Sequence, residues 1–391
     1  CPMASAPISS DLMRALAGER MLFDNELYLT GQTRRTTRND FWTRVLLGYD
    51  GATLFSWSKR GWAWWDGKRR LEKEAESHPY SALLPLARKT EALRGILDFA
   101  LEIEKVRDDV LPKPWNADPK IGFLWNWEDV RRKAYDREIA EKTMEYYAAL
   151  RYSHWPMTLL PSNGVSLESL STFEVLVVAG MEYLEEDLAG LLVEYTSRGG
   201  KLIVAENIPS RTPYGPPNGI DKHLSARFGE KDSANSILRR LDTIQADGLP
   251  DEIDLPQGVR TVSFTQESNV LLRDDQNRPV LAEQPLGKGR ILYQAADIHG
   301  YRLATLLSWL LEICGIEKPL SISNSDGVLA TNILLSYRRY EEHAALLLRN
   351  RNQFPQCLQI SLALGSDEWS VCDPLDIGAI HSPSGMPTWT A

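Results

Sequence analysis

The spacing of apolar and polar positions changes character along the chain. The first apolar run, Met21 to Leu29 (MLFDNELYL), predicts a strand, and Asp11 to Ala17 before it predicts a short helix capped by Ser10 or Asp11. Gly31 to Thr37 is polar and basic and reads as a loop. Asn39 is placed to cap a helix through Leu47 that carries Phe41, Val45 and Leu46. Ala52 to Trp57 then predicts a second strand. A strand, helix, strand rhythm implies two parallel strands joined by a crossover. Ser58 to Pro79 shows no clear period and reads as a long loop. From Ser81 to about Val110 the stripe Leu93, Ile96, Leu97 and Ala100 predicts a long helix, which Pro112 and Pro114 end.

A second α/β rhythm follows. Ile121–Trp125, Pro156–Leu160, Val175–Ala179 and Leu202–Ala205 read as strands, with helices over Tyr135–Tyr152 and around Leu188–Tyr195. The run VLVVA marks a strand buried on both faces, and the alternation predicts a doubly wound parallel sheet. Between Asn207 and Leu255 the chain is rich in Pro and Gly, with one helix expected near Ala234–Ile244. Val259–Thr265, Asn269–Leu272, Val280–Gln284 and Arg290–Ala295 read as antiparallel strands, the last two joined by a turn at Gly287-Lys288-Gly289. A last helix carries Leu303, Leu306, Leu307 and Leu310 and stops near Gly315. After Lys318 only strand-like segments occur: Thr331–Arg338, Ala344–Asn350, Leu358–Leu364 and Ser370–Cys372. They predict a small antiparallel, sandwich-like domain, and the end SPSGMPTWTA carries no expected closing strand. The domain expectation is therefore residues 1–114, 115–317 and 318–391.

Composition narrows the partners. A net charge of −9 argues against nucleic acid, whose phosphates require a basic face. No apolar run approaches the roughly 20 residues of a bilayer span. Four cysteines without C-x-x-C spacing argue against a thiolate zinc site or a disulfide framework. The chain starts at Cys1, so it is read as a processed or partial form, with the cytoplasm as the favoured compartment. The twelve tryptophans change the picture most, because eight fall in the first third and Trp suits stacking on the apolar faces of sugars.

Glu26 is the candidate catalytic residue: a carboxylate near the end of a strand, with FSW closing the next strand. Trp57 is a candidate floor under a sugar ring, and Tyr28 and Trp62 are further substrate-binding candidates. For Trp62, Trp64 and Trp65, packing of a loop is the competing role, since adjacent tryptophans cannot both face one site. Arg34, Arg35, Arg38 and Arg44 read as a solvated basic loop more readily than as contacts to sugar hydroxyls. The second sheet resembles that of class I glutamine amidotransferases, but its strand ends, Gly180-Met181-Glu182 and Glu206-Asn207, carry no Cys or Ser. That removes the nucleophile such chemistry needs and leaves Glu182 and Glu206 as structural carboxylates. No metal-ligand spacing stands out, and no cofactor is expected.

Several stretches together resemble a known family. DLMRALAGERMLFDNELY and DFWTRVLLGYDGATLFSW, then FEVLVVAGMEYL, YTSRGGKLIVAEN and GKGRILYQAADIHG, are similar to the C-terminal half of β-galactosidases of glycoside hydrolase family 42. The resemblance implies the end of a (β/α)8 barrel, an amidotransferase-like trimerisation domain and a small β domain. It implies a carbohydrate substrate, a homo-trimer, Glu26 as nucleophile on the seventh barrel strand and Trp57 as the aromatic after the eighth. The family's acid/base follows the fourth strand. A whole barrel takes roughly 250 residues, so this chain is expected to be catalytically incomplete as given. The rival expectation is a non-catalytic assembly or carbohydrate-binding protein.

Overall fold

In a computed structural model of the protein, the described residues are 8–18, 20–28, 33–55, 91–110, 120–133, 137–224, 226–232, 236–240, 252–255, 259–264, 268–339, 344–350, 357–362, 379–381 and 388–390. They belong to two compact units. One comprises residues 1–15, 118–331 and 360–365, the other 16–117, 332–359 and 366–391.

The first unit is built on a mixed α/β sheet of nine strands in the order β4-β3-β5-β6-β13-β12-β11-β8-β9. Its parallel half is β4 (Met157–Pro161), β3 (Ile121–Trp125), β5 (Val175–Ala179), β6 (Lys201–Ala205) and β13 (Gly289–Gln294). Every residue of β3 and β5 is buried, as continuous apolar runs require when both faces are covered. The antiparallel half is β12 (Pro279–Leu286), β11 (Asn269–Asp274), β8 (Ser236–Arg240) and β9 (Glu252–Leu255). β13 joins the halves, pairing parallel with β6 and antiparallel with β12. Leu176, Val178, Leu192, Leu202, Val204, Ile291 and Tyr293 fill one core. The hairpin turn before β13 sits directly on the end of the helix Glu186–Ser197. A Cβ on Gly289 would stand 2.1 Å from the Gly200 carbonyl oxygen, so only glycine fits there. A separate ladder pairs β7 (Ala226–Asp232) with β10 (Val259–Phe264).

In the second unit, β1 (Phe23–Tyr28) and β2 (Gly51–Phe55) pair in parallel, as expected from the crossover rhythm. The helix between them, Arg34–Leu46, packs on the helix Glu91–Val110. Phe41 and Trp42 both contact the Phe99 ring, and Val45 and Val106 are buried against Ile103 and Leu347. β15 (Ile333–Arg339) and β16 (Ala344–Asn350) form an antiparallel hairpin in this unit. β19 (Thr388–Thr390) pairs with the start of β17 (Cys357–Leu362) and with β18 (Ala379–His381).

Four expectations are corrected. No helix occupies Ser236–Arg240; this segment is strand β8, sandwiched between β11 and β9, and ladder pairing on both edges outweighs its local propensity. The helix expected from Asn39 starts at Arg34, because Thr33 and Thr36 form a reciprocal capping box, so the basic segment is helical rather than loop. The C-terminal segment does carry a strand, β19, which has two partners. The first helix begins at Ile8, which puts Ser10 and Asp11 inside it rather than at its cap. The elements not expected include the helix Trp127–Lys133, β14 (Leu320–Asn324) and, within the Pro- and Gly-rich excursion, strands β7 and β9.

Candidate functional site

The sequence places its catalytic candidate on β1. The register runs Phe23↔Gly51 and Asp24↔Ala52, then resumes at Leu27↔Leu54 and Tyr28↔Phe55. Two residues, Asn25 and Glu26, therefore stand opposite Thr53 alone. This is a β-bulge, and a bulge bends a strand and redirects the side chains it carries, which is why bulges recur beside active sites. Glu26 lies in that bulge. The side chains of Glu26 and Tyr28 lie outside the described residues, as do Trp57 and Trp62 altogether.

The surrounding frame is well defined. The Leu22 amide donates to Asp50 Oδ2 at 2.6 Å, and the Asp50 amide returns a bond to the Leu22 carbonyl at 2.8 Å, fastening the start of β1 to the turn before β2. Arg44 reaches back from the helix to Asp24, two residues before the bulge, at 3.0 Å. Arg38 bonds both oxygens of Glu102 at 2.7 Å, Trp42 Nε1 donates to the same carboxylate at 2.8 Å, and Arg34 pairs with Asp98. Arg34, Arg38 and Arg44 therefore lie on a helix rather than in a loop. They pair with Asp98, Glu102 and Asp24, holding the crossover helix to its neighbours.

A second group of ionisable side chains lies in the α/β unit, where β5, β6 and β13 end. Glu206 follows β6 with φ +67°, a left-handed conformation uncommon outside glycine. Burial raises its carboxyl above the ordinary range, against the pull of Lys142, whose ammonium stands 3.5 Å away. Lys142 is bonded to Asp297 and approaches His299 Nε2 at 3.3 Å. The other imidazole nitrogen meets Glu145 at 2.7 Å, and the second Glu145 oxygen accepts from the Gly300 amide at 3.2 Å. Beneath them Tyr146 donates to Gln294 at 2.6 Å. Sequence reasoning found Glu206 but missed Lys142, Glu145, Asp297 and His299. With Glu206 they come from three separate segments, and nothing in the sequence joins those segments. Glu182 contributes its backbone amide, which donates to Asp129 at 2.8 Å. Among the described residues, no group of three or more His, Cys, Asp or Glu is arranged to hold a metal ion, and no helix is long and apolar enough to cross a membrane.

Comparison with known proteins gives the family context. The family model described as "GLMA-like, second domain" matches residues 155–261. No curated protein matches the chain by sequence. Among solved structures, a β-galactosidase from Bacillus circulans sp. alkalophilus is similar over 100% of this chain and 58% of its own, at 16% identity and a TM-score of 0.71. A cold-adapted β-galactosidase from Rahnella sp. R3 is similar over 91% of this chain and 54% of its own, at 14% identity and a TM-score of 0.70. A catalytic mutant of a family-42 β-galactosidase from G. stearothermophilus is similar over 99% and 55%, at 12% identity and a TM-score of 0.69. The chain thus spans little more than half the length of these proteins. Its fold is that of a C-terminal portion of a family-42-like protein.

Proposed function

We propose that the chain is the C-terminal part of a retaining glycoside hydrolase acting on β-galactosides or related β-glycosides. The observation that carries this reading is the parallel β1–helix–β2 unit with Glu26 in its bulge, within a chain whose fold matches β-galactosidases along its whole length. β1 and β2 are then the last two strands of a (β/α)8 barrel. Exposed Met21, Phe23, Leu97 and Leu101 are apolar residues that further barrel elements would cover. The α/β unit, whose parallel strands follow the flavodoxin-like order of amidotransferase-type domains, is the trimerisation scaffold. Residues 318–391 make the small β domain.

In the mechanism Glu26 attacks the anomeric carbon and expels the leaving oxygen, which a carboxylic acid from an earlier strand of the same barrel protonates. The two carboxyls stand about 5–5.5 Å apart in retaining enzymes, and water then releases the glycosyl group with the second carboxyl acting as base. Trp57, Tyr28 and Trp62 offer flat apolar faces to the sugar. Two-carboxylate hydrolysis calls on no metal or cofactor.

The test uses the full-length protein and an aryl β-galactoside. Glu26→Gln lowers kcat by several orders of magnitude while the far-ultraviolet circular dichroism is unchanged. Glu26→Ala with added azide recovers turnover and releases an α-glycosyl azide, because azide enters on the face the nucleophile vacated. Activity retained in Glu26→Gln would reject the assignment.

A second reading, a non-catalytic assembly or carbohydrate-binding protein, draws on the family-model match, which falls on the scaffold rather than on Glu26. It requires a folded full-length protein that binds sugar saturably and turns none over.

A further inference from the structure

The Pro- and Gly-rich excursion after β6 is braced more tightly than a connecting loop requires. The Thr212 amide donates to the Pro216 carbonyl at 2.8 Å, the Gly215 amide to Thr212 at 2.9 Å and the Asn218 amide to Ser210 at 3.0 Å. The buried Asn218 side chain donates to the Leu184 and Pro209 carbonyls at 3.0 and 2.7 Å and accepts from the Ile220 amide at 3.1 Å. Pro209, Pro213, Pro216 and Pro217 restrict the backbone between these bonds. The side chain this frame holds up is Tyr214, 77% exposed and the most exposed large apolar residue among those described. A ring left in water adds little to folding, because it buries little apolar area. Holding it rigid instead lowers the cost of ordering it against a ligand.

The place of this turn in the sheet supplies the setting. The Leu184 amide donates to the Arg211 carbonyl at 2.8 Å, and Tyr183 and Arg211 form a parallel bridge, so the excursion is fastened to the loop that follows β5. The guanidinium carbon of Arg132 lies 5.5 Å from the centre of the Tyr214 ring, and Arg132 belongs to the helix Trp127–Lys133 that follows β3. The segments after β3, β5 and β6 therefore meet at the carboxyl end of the parallel strands. β3 lies between β4 and β5, so the strand order reverses there, which is where open α/β sheets bind ligands. Each segment brings an aromatic side chain: Trp127, 37% exposed and set edge-on to Trp125 at 5.9 Å, half-buried Tyr183, and Tyr214. The crevice between the strands is itself filled. Asn126 donates to the Tyr183 carbonyl at 3.0 Å and to Glu185 at 3.1 Å, and buried Asp129 accepts from the Glu182 and Tyr183 amides, both at 2.8 Å. A ligand therefore rests on the rim. Glu128 and Asp129 occupy the first turn of the helix after β3, so acids already answer the positive end that would favour a phosphate. Flat apolar faces beside a guanidinium suit a neutral sugar, whose ring stacks on aromatics and whose hydroxyls accept from arginine.

We propose that Trp127, Tyr183, Tyr214 and Arg132 form a surface site for a neutral glycan at the carboxyl edge of the α/β sheet. A pyranose ring stacks on the open face of Tyr214, and exposed Arg132, which makes no ion pair among the described residues, donates to its hydroxyls. The site holds a sugar chain and cleaves nothing. It is independent of the Glu26 reading and shares no residue with the sugar site proposed there.

The experiment titrates the full chain with β-1,4-linked galactotetraose and with cellotetraose, followed by calorimetry and intrinsic fluorescence. The expected result is saturable binding of at least one of the two. Tyr214→Ala weakens it by about tenfold or more with circular dichroism unchanged, whereas Tyr214→Phe keeps it, because stacking needs only the ring. Arg132→Met and Trp127→Ala each weaken it as well. No saturable binding of either sugar overturns the proposal. So does binding that is equally tight in Tyr214→Ala, and if that binding is lost in Trp57→Ala it belongs to the site of the Glu26 reading. A wild type that binds no sugar, with an assembly that Tyr214→Ala breaks down in sedimentation, makes the turn a contact between copies instead. Should Trp127→Ala fail to fold, the exposed Tyr214 variants decide.

Discussion

At the scale of single residues, buried ionisable groups set the pH response. His154 is held at about 3 in the folded protein, by burial first and then by Lys318 and Arg151, against an ordinary value of 6.5. The unfolded chain therefore binds the extra proton first. Stability is fully present above about pH 6.5 and falls as the pH drops from there towards 3, by an upper figure of about 5 kcal/mol. Denaturant unfolding between pH 4 and 7 should show this slope, and His154→Asn should flatten it. Glu206 has the opposite sign. Its folded value is raised by burial, so it penalises the folded state increasingly as the pH rises above the ordinary carboxyl range. Lys142 limits that penalty and also holds Asp297, which is 5% exposed. Lys142→Met leaves two largely buried carboxylates without their cation and should cost about 3 kcal/mol at neutral pH. The loss should shrink when Glu206→Gln is added, and a double-mutant cycle by chemical denaturation reads the coupling. Additive losses would show that Lys142 does not act through Glu206.

At the scale of elements, the crossover helix of the second unit is the part whose boundary is best explained. Thr33 accepts from the Thr36 amide at 3.2 Å, and Thr36 Oγ1 accepts from the Thr33 amide at 2.8 Å. No acidic residue occupies the first turn of this helix, and the box answers the Thr33 and Thr36 amides. Thr33→Ala should destabilise the second unit by about 1 kcal/mol, read as a lower Tm. Thr33→Asp should restore it by capping and by charge at the positive helix end. Gly95 shows how closely the next helix packs on this one, since a Cβ there would stand 2.3 Å from the Arg34 carbonyl oxygen. The bulge in β1 belongs to this scale too. Arg44 to Asp24 fastens the strand just before it, and Asp50 fastens the strand's start, so the register shift is confined to Asn25 and Glu26.

At the scale of the whole molecule, the proposal of a family-42-like hydrolase entails an assembly. With the α/β unit as scaffold, the full-length protein should sediment as a trimer, and analytical ultracentrifugation across a concentration series checks it. A monomer at micromolar concentration would remove the trimerisation role. The mixed sheet bears on this expectation because β13 joins a parallel half to an antiparallel half in one nine-stranded sheet. A scaffold of that kind presents its helices as fixed surfaces.

The sequence by itself determined the elements whose burial is written into their composition. VLVVA and LIVA could only be strands covered on both faces, and observed β5 and β6 coincide with them to within a residue. The helix bearing Leu303, Leu306, Leu307 and Leu310 and the β1–helix–β2 rhythm were legible for the same reason: periodicity reports which face meets a core. Glu26 was legible as a carboxylate late in a strand, but its place in a bulge was not, because a register shift depends on the partner strand. Only tertiary structure decided that Ser236–Arg240 is a strand, since its reason for being one is β9 and β11 on either side. Only tertiary structure turned Arg34, Arg38 and Arg44 from loop charges into ion pairs, two of them with acids 64 residues away. The same holds for Lys142, Glu145, Glu206, Asp297 and His299, and for Lys318 over the Trp155 ring. Charges of this kind are set by neighbours far apart in the chain, and local pattern carries no information about which distant segments the core will bring together.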